Sequence, residues 1–169
     1  MTLSMHTSSA PTFLRTLTAM SSWLQAAEAH ASARSFDADQ FVGFQLTPDM
    51  KPLSFQVQSA CDSAKLCVAR LADTDAPSWA DDESTIGDLL SRVAKTIEYV
   101  NSVSADQVDG SEERVIEMQA GPDRTFTFTG EDYLRGFALP NFFFHATMAY
   151  ALLRQGGVPL GKMDFLGAP

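Results

Sequence analysis

A chain of 169 residues with 45% hydrophobic and 20% charged side chains is long enough to bury a core without disulfide or metal staples. Its net charge of −9 and pI near 4.6 repel phosphate backbones and anionic bilayers. The basic residues are scattered singly from Arg15 to Lys162, so neither nucleic acid nor membrane is expected as a partner. No apolar run approaches the roughly 20 residues of a membrane span. Met1 to Ala10 lacks the basic-then-apolar order of a secretory signal, which makes cytoplasm the expected compartment.

In chain order, Pro11 to Ala31 is predicted as the first helix, with Pro11 in its first turn after Ser8 or Ser9. Phe13, Leu17, Met20, Leu24 and Ala27 form its apolar stripe at three- and four-residue spacing, widened by Leu14 and Trp23. Ser32 to Gln45 is predicted as a loop or short extended piece. The second helix is predicted to open near Thr47-Pro48-Asp49, a cap, a proline and a dipole-matching acid, with Pro52 able to push the regular start later. It runs to Ala72. Cys61 and Cys67 lie on it six residues apart, about 9 Å by helical rise, so they are expected as buried thiols and not as a disulfide. The acidic run Asp73, Asp75, Asp81, Asp82 and Glu83 around Pro77 is predicted as a solvated loop, because the spacing of a calcium-binding loop is absent.

Ile86, Leu89, Leu90, Val93, Ile97 and Val100 give the third helix, Thr85 to Ser102. Ala105 to Ser111 follows as a polar link. The period then changes to two over Arg114–Met118 and Arg124–Phe128, with turn-forming Ala120 to Asp123 between, which predicts a β-hairpin. Thr129 caps the fourth helix with Asp132 three residues on. Pro140 is predicted to kink or divide that helix, Gly156-Gly157 and Pro159 to end it, and the tail to pack through Met163, Phe165 and Leu166. Phe142, Phe143 and Phe144 spread over about 200° of helix surface and cannot all face one core. The expected fold is mainly all-α: residues 1–169 as one antiparallel four-helix bundle domain, with a small hairpin inserted between helices three and four.

The segment Asn141-Phe-Phe-Phe-His145 through Arg154-Gln-Gly-Gly-Val158-Pro159 resembles the last helix of the DinB/YfiT-like superfamily. Thr129-Gly-Glu-Asp-Tyr-Leu, Gly156-Gly-Val-Pro-Leu-Gly-Lys-Met-Asp-Phe and the middle segment Met50 to Lys65 resemble one branch of it, known only as a domain of unknown function. The likeness runs from about Phe13 to Phe165. It implies a DinB-like bundle and a homodimer. In the wider superfamily it also implies a divalent metal held by one histidine of the second helix and a His-x-x-x-His pair of the last.

Residues four apart share a helix face, so two imidazoles there can converge on one ion. This sequence departs from that pattern. His145 matches the second histidine of the pair, Asn141 stands at the first, and the second helix carries no histidine. Its candidates facing the same interior are Gln56, Ser59 and Asp62. The metal set that the resemblance implies is therefore His145, Asp62 and Asn141, with Gln56 and Ser59 lining the cleft, and it suits a harder ion better than zinc. A carboxylate meeting His145 would raise the imidazole pKa. Three functional readings follow: a DinB-like protein with a vestigial or absent metal site and no cofactor; a divalent-metal-dependent, thiol-handling transferase or hydrolase; and a small-ligand binding protein using the cleft at His145.

Overall fold

The structure is a computed structural model and describes residues 3–119, 121 and 123–167. Ala120 and Pro122 of the expected hairpin turn, and Met1, Thr2, Ala168 and Pro169, lie outside the described residues. Helix α1 spans Met5–Ala33. It begins six residues before the expected Pro11, because Ser4 and Thr7 form a reciprocal capping box: the Thr7 N–H reaches Ser4 Oγ at 3.3 Å and the Ser4 N–H reaches Thr7 Oγ1 at 2.8 Å. The His6 N–H, another donor of the first turn, goes to Asp109 Oδ1 at 2.8 Å. Pro11 therefore lies inside the helix, and the buried Met5, Ser9 and Ala10 offset the hydrogen bond that it removes.

After a 3₁₀ turn at Ala38–Gly43, where a loop or extended piece was expected, helix α2 spans Leu53–Ala72 with Pro52 as its N-cap. Thr47-Pro48-Asp49 is not its first turn. Thr47 Oγ1 donates to Asp49, and the Met50 N–H closes a turn on the Thr47 carbonyl at 3.0 Å. Two prolines in five residues leave only the second in a position that a helix accepts. Helix α3 spans Ile86–Ser102 behind a Thr85–Asp88 capping box. The link predicted as polar holds a short helix, α4 at Ala105–Val108, which buries Val108.

Strands β1 (Val115–Gln119) and β2 (Thr125–Thr129) pair antiparallel, with Ile116 opposite Phe128 and Met118 opposite Phe126. These four point toward the bundle, and the alternating partners face outward, as period two requires. Thr129 then caps the last helical rod, accepting from the Asp132 N–H at 3.2 Å. The rod opens as α5 (Gly130–Asp132), widens into a π-helical turn at Tyr133–Ala138 and continues as α6 (Leu139–Gln155). Pro140 does not divide it. The Leu139 N–H reaches back five residues to the Leu134 carbonyl, and the widened turn relieves the contact that a proline ring makes one turn back. Helix α7 (Lys162–Leu166) closes the chain. Phe165 of the tail stacks on Trp23 at 5.5 Å, but Met163 and Leu166, expected to pack, are exposed.

The four long helices close a ring in the order α1, α3, α2, α6, each packed on its two neighbours. Phe13, Leu17, Met20, Leu24 and Ala27 of α1 are all buried, as their stripe predicts. The phenylalanine triplet divides as its angular spread requires: Phe142 is buried edge-on to Phe13 at 4.8 Å, Phe143 is half-buried, and Phe144 is exposed. Among the described residues no helix is long and apolar enough to cross a membrane.

Candidate functional site

The groove between α2 and the last helical rod, roofed at one end by β1, holds a cleft of about 290 Å³. Its wall brings together His145, Asn141, Asp62 and Ser59. Gln56 stands behind His145. On α2, Ser59, Asp62, Leu66 and Arg70 recur at three- and four-residue spacing, which places them on one face. Leu53, Val57, Ala60 and Ala64, on the opposite side of the helix, are buried in the core and hold that face toward the groove.

His145 is fixed in one tautomer by its neighbours. Gln56 Nε2 lies 2.9 Å from the Lys51 carbonyl, which can only accept, so the amide nitrogen must face it. The amide oxygen is then left toward His145 Nδ1, at 2.8 Å, and an oxygen there requires Nδ1 to carry the proton. Nε2 is the unprotonated, basic nitrogen. It has no hydrogen-bond partner among the described residues. Among the described residues no carboxylate bonds His145: Gln56 takes that place, and burial pushes the imidazole pKa below its ordinary value of 6.5.

The lowered value fixes a pH dependence. Between the folded-state pKa and 6.5 the unfolded chain binds more protons than the folded one, so stability rises with pH in that window. His145 therefore contributes fully above 6.5, and the contribution is lost as pH falls toward the folded value. An NMR titration of the His145 Cε1 proton is expected to give a midpoint below 6.5, and His145→Gln should flatten the stability slope over the same range. A midpoint above 6.5 would show that a negative group reaches the ring.

Asp62 is engaged on its far side. Its Oδ1 lies 2.7 Å from Lys65 Nζ and 3.0 Å from Arg92 Nη2. Arg92 is fully buried and also holds Glu83 Oε1, Asp81 Oδ1 and the Ala80 carbonyl, each at 3.0 Å. The acidic segment predicted as a solvated loop is thus partly drawn inward: Asp82 is exposed, but the Glu83 side chain is only 5% exposed. Burial pushes the Glu83 carboxyl up, and hydrogen bonds from Gln58 and Arg92 outweigh it, leaving the group below the usual carboxylate range. Trp79 lies over the same cluster, with Lys65 Nζ at 4.3 Å, Lys95 Nζ at 4.8 Å and the Arg92 guanidinium carbon at 5.4 Å from its ring centre. Asn141 donates through Nδ2 to Ser63 Oγ at 2.7 Å, and Ser63 Oγ donates to the Ser59 carbonyl at 2.7 Å.

At the hairpin end, Arg70 Nη1 donates to the Tyr133 hydroxyl at 2.7 Å. Burial pushes the Tyr133 pKa up to about 12. Met118 and Gln119 of β1 and Phe137 complete this end. Cys61 and Cys67 are buried as expected. Burial holds both thiols well above their ordinary value, Cys61 at about 12, which leaves them protonated and unreactive. Among the described residues no group of three or more His, Cys, Asp or Glu side chains is placed to hold a metal ion.

Arg92, Lys65 and Arg70 were not singled out by sequence reasoning as site residues. A signal existed for Arg92. It lies three residues after Leu89 and four before Thr96, inside the apolar stripe of α3, and a charge in a buried stripe implies buried partners.

Three comparisons bear on this geometry. The family model described as Domain of unknown function (DUF1993) matches residues 5–166. A solved DinB family member protein from Shewanella denitrificans is 32% identical, with a TM-score of 0.88 over 97% of this chain and 92% of that one. No curated protein matches the sequence.

Proposed function

We propose, for a chain that belongs to the DinB-like domain-of-unknown-function family DUF1993, that it binds a small polar organic molecule in the cleft at His145 without using a transition metal. The observation that carries this reading is the clamp of Gln56 between the Lys51 carbonyl and His145 Nδ1. It presents Nε2 as a fixed hydrogen-bond acceptor, neutral at physiological pH because burial lowers its pKa. Such a nitrogen accepts a proton-bearing group of a ligand, and it can take that proton as a base.

The residues at the superfamily's ligand positions fit zinc or nickel poorly. One imidazole is offered. Asn141 is an amide, and its nitrogen is spent on Ser63. Asp62 already shares one oxygen with two cations, which weakens it as an anionic donor. Three strong donors are the usual minimum for a catalytic zinc site.

The test pairs metal with ligand. Protein purified without nickel resin or chelator is titrated with zinc and, separately, screened by thermal shift against small hydroxylated and acidic molecules. Zinc is expected to bind far below one equivalent with no rise in the midpoint. At least one small molecule should raise the midpoint of the native chain, and His145→Phe should abolish that rise. Tight stoichiometric uptake of zinc or nickel that raises the midpoint would overturn the proposal.

A further inference from the structure

We infer that the ligand of this cleft is an elongated monocarboxylate whose carboxylate is anchored at the hairpin end by Arg70 and Tyr133. The inference rests on the reading that the cleft binds a small organic molecule, and adds the chemical class of that molecule.

Arg70 is the first observation. In a chain of net charge −9, it lines the cleft with no carboxylate within ion-pair distance among the described residues. Its one hydrogen bond goes to an uncharged phenol. A guanidinium has five N–H donors in a planar fork, and that fork matches a carboxylate.

Tyr133 is the second. Its hydroxyl accepts from Arg70, and its raised pKa keeps the proton on the oxygen. That proton has no acceptor among the described residues, although Tyr133 is only 1% exposed. A buried O–H donor left unpaired costs about 1–3 kcal/mol, and an anion beside Arg70 would receive it. Two convergent donors, one of them charged, make an anion site that does not depend on helix dipoles or surface lysines.

The rest of the wall narrows the class. Leu66 and Phe137 give apolar sides behind the anchor. One guanidinium beside an uncharged phenol offers a single positive charge, which suits a single carboxylate better than a dianion such as a phosphate monoester. With the π turn counted as one residue that adds no rise, Tyr133 and His145 stand about 16 Å apart along the rod, so an elongated ligand anchored at Arg70 extends along the groove toward His145 without having to touch it. The volume of about 290 Å³, roughly that of ten waters, suits a small molecule of one ring and a short chain.

The probe is 3-(4-hydroxyphenyl)propanoate, a rod with a carboxylate at one end and a hydroxyl donor at the other. Its neutral isostere is 3-(4-hydroxyphenyl)propanamide. Each is titrated into the full chain while the His145 Cε1 proton and the ligand signals are followed by NMR. The carboxylate is expected to bind at least tenfold tighter than the amide. Arg70→Gln and Tyr133→Phe should each weaken the carboxylate about tenfold and leave the amide unchanged, with Arg70→Lys retaining part of the affinity. Equal binding of the two probes, or carboxylate binding untouched by Arg70→Gln, overturns the anchor while leaving the cleft reading in place, provided the probes bind. No binding of either probe at 10 mM, read on the ligand signals, overturns both.

Discussion

Replacing Arg92 with methionine is expected to destabilise the protein by about 3–5 kcal/mol, the usual loss when one partner of a buried ion cluster is removed. Arg92 has no exposed surface and holds Glu83, Asp81, Asp62 and the Ala80 carbonyl. Methionine fills much of the same volume, so the loss measures uncompensated charge more than a cavity. Glu83 suffers most, because its carboxylate is buried and keeps only the Gln58 hydrogen bond and a distant Lys95 at 3.9 Å.

Urea denaturation reads the effect directly, and Arg92→Met combined with Glu83→Gln should recover a measurable part of the loss. The sign with pH is also fixed. The Glu83 pKa in the folded protein lies below its ordinary value of 4.5. Its contribution is therefore present above that value and fades as pH falls through the folded pKa. A loss under 1 kcal/mol for Arg92→Met would mean that the cluster is held together by something other than Arg92. The Nε of Arg92 is buried without a partner among the described residues, so the native cluster already carries one unsatisfied donor.

The second large effect is expected at Gly130. A Cβ there would stand 2.0 Å from the Ser111 carbonyl oxygen and 3.0 Å from its carbon. The obstacle is backbone, so no rotamer change removes it. Ser111 is itself buried, its carbonyl closes the turn to Arg114, and the next carbonyl, Glu112, accepts from Glu131 at 3.0 Å. Gly130→Ala must therefore push apart the entry to β1 and the start of the last rod. A cost of about 3 kcal/mol is expected, at the upper end of ordinary overpacking, with loss of hydrogen-exchange protection in the β1–β2 ladder. Gly136→Ala is the control. Nothing lies within 4 Å of its added carbon, and the change should be neutral or mildly stabilising. Equal effects at the two glycines would show that helix propensity, and not the Ser111 contact, decides.

The bundle was legible because its helices announce themselves by period and cap. The α1 stripe, the α3 stripe behind Thr85, the alternating hairpin and the Thr129 cap all stand where the pattern puts them. The misreadings cluster at prolines. Pro11 and Pro48 were taken as boundaries, which the Ser4–Thr7 box and Pro52 set instead, and at Pro140 the π turn lets the rod run on undivided.

At the site, the grouping of His145, Asn141, Asp62 and Ser59 around one cleft follows from helical facing. The partners did not follow. Which of Gln56 or Asp62 reaches His145 depends on a rotation of α2 smaller than one residue, and sequence does not resolve that. The pull of Arg92 on Asp62 comes from a third helix, at a sequence separation of 30 residues. At the hairpin end, Arg70 continues the helical line of Ser59, Asp62 and Leu66, but no regular spacing along the chain sets Tyr133 against it.

The π turn at Tyr133–Ala138 explains that last gap. In a plain α-helix, eight residues from Tyr133 to Asn141 would turn about 800°, leaving the two side chains about 80° apart. A π turn behaves as one residue inserted without advancing the helix, so the effective turn is about 700° and the pair falls within about 20°. The two ends of the cleft thus share a line only because the rod carries a hidden insertion. A search for chemistry along the last helix of such chains should count from Tyr133 with that residue removed. Relatives of one residue less here would keep the bundle and hold a differently divided cleft.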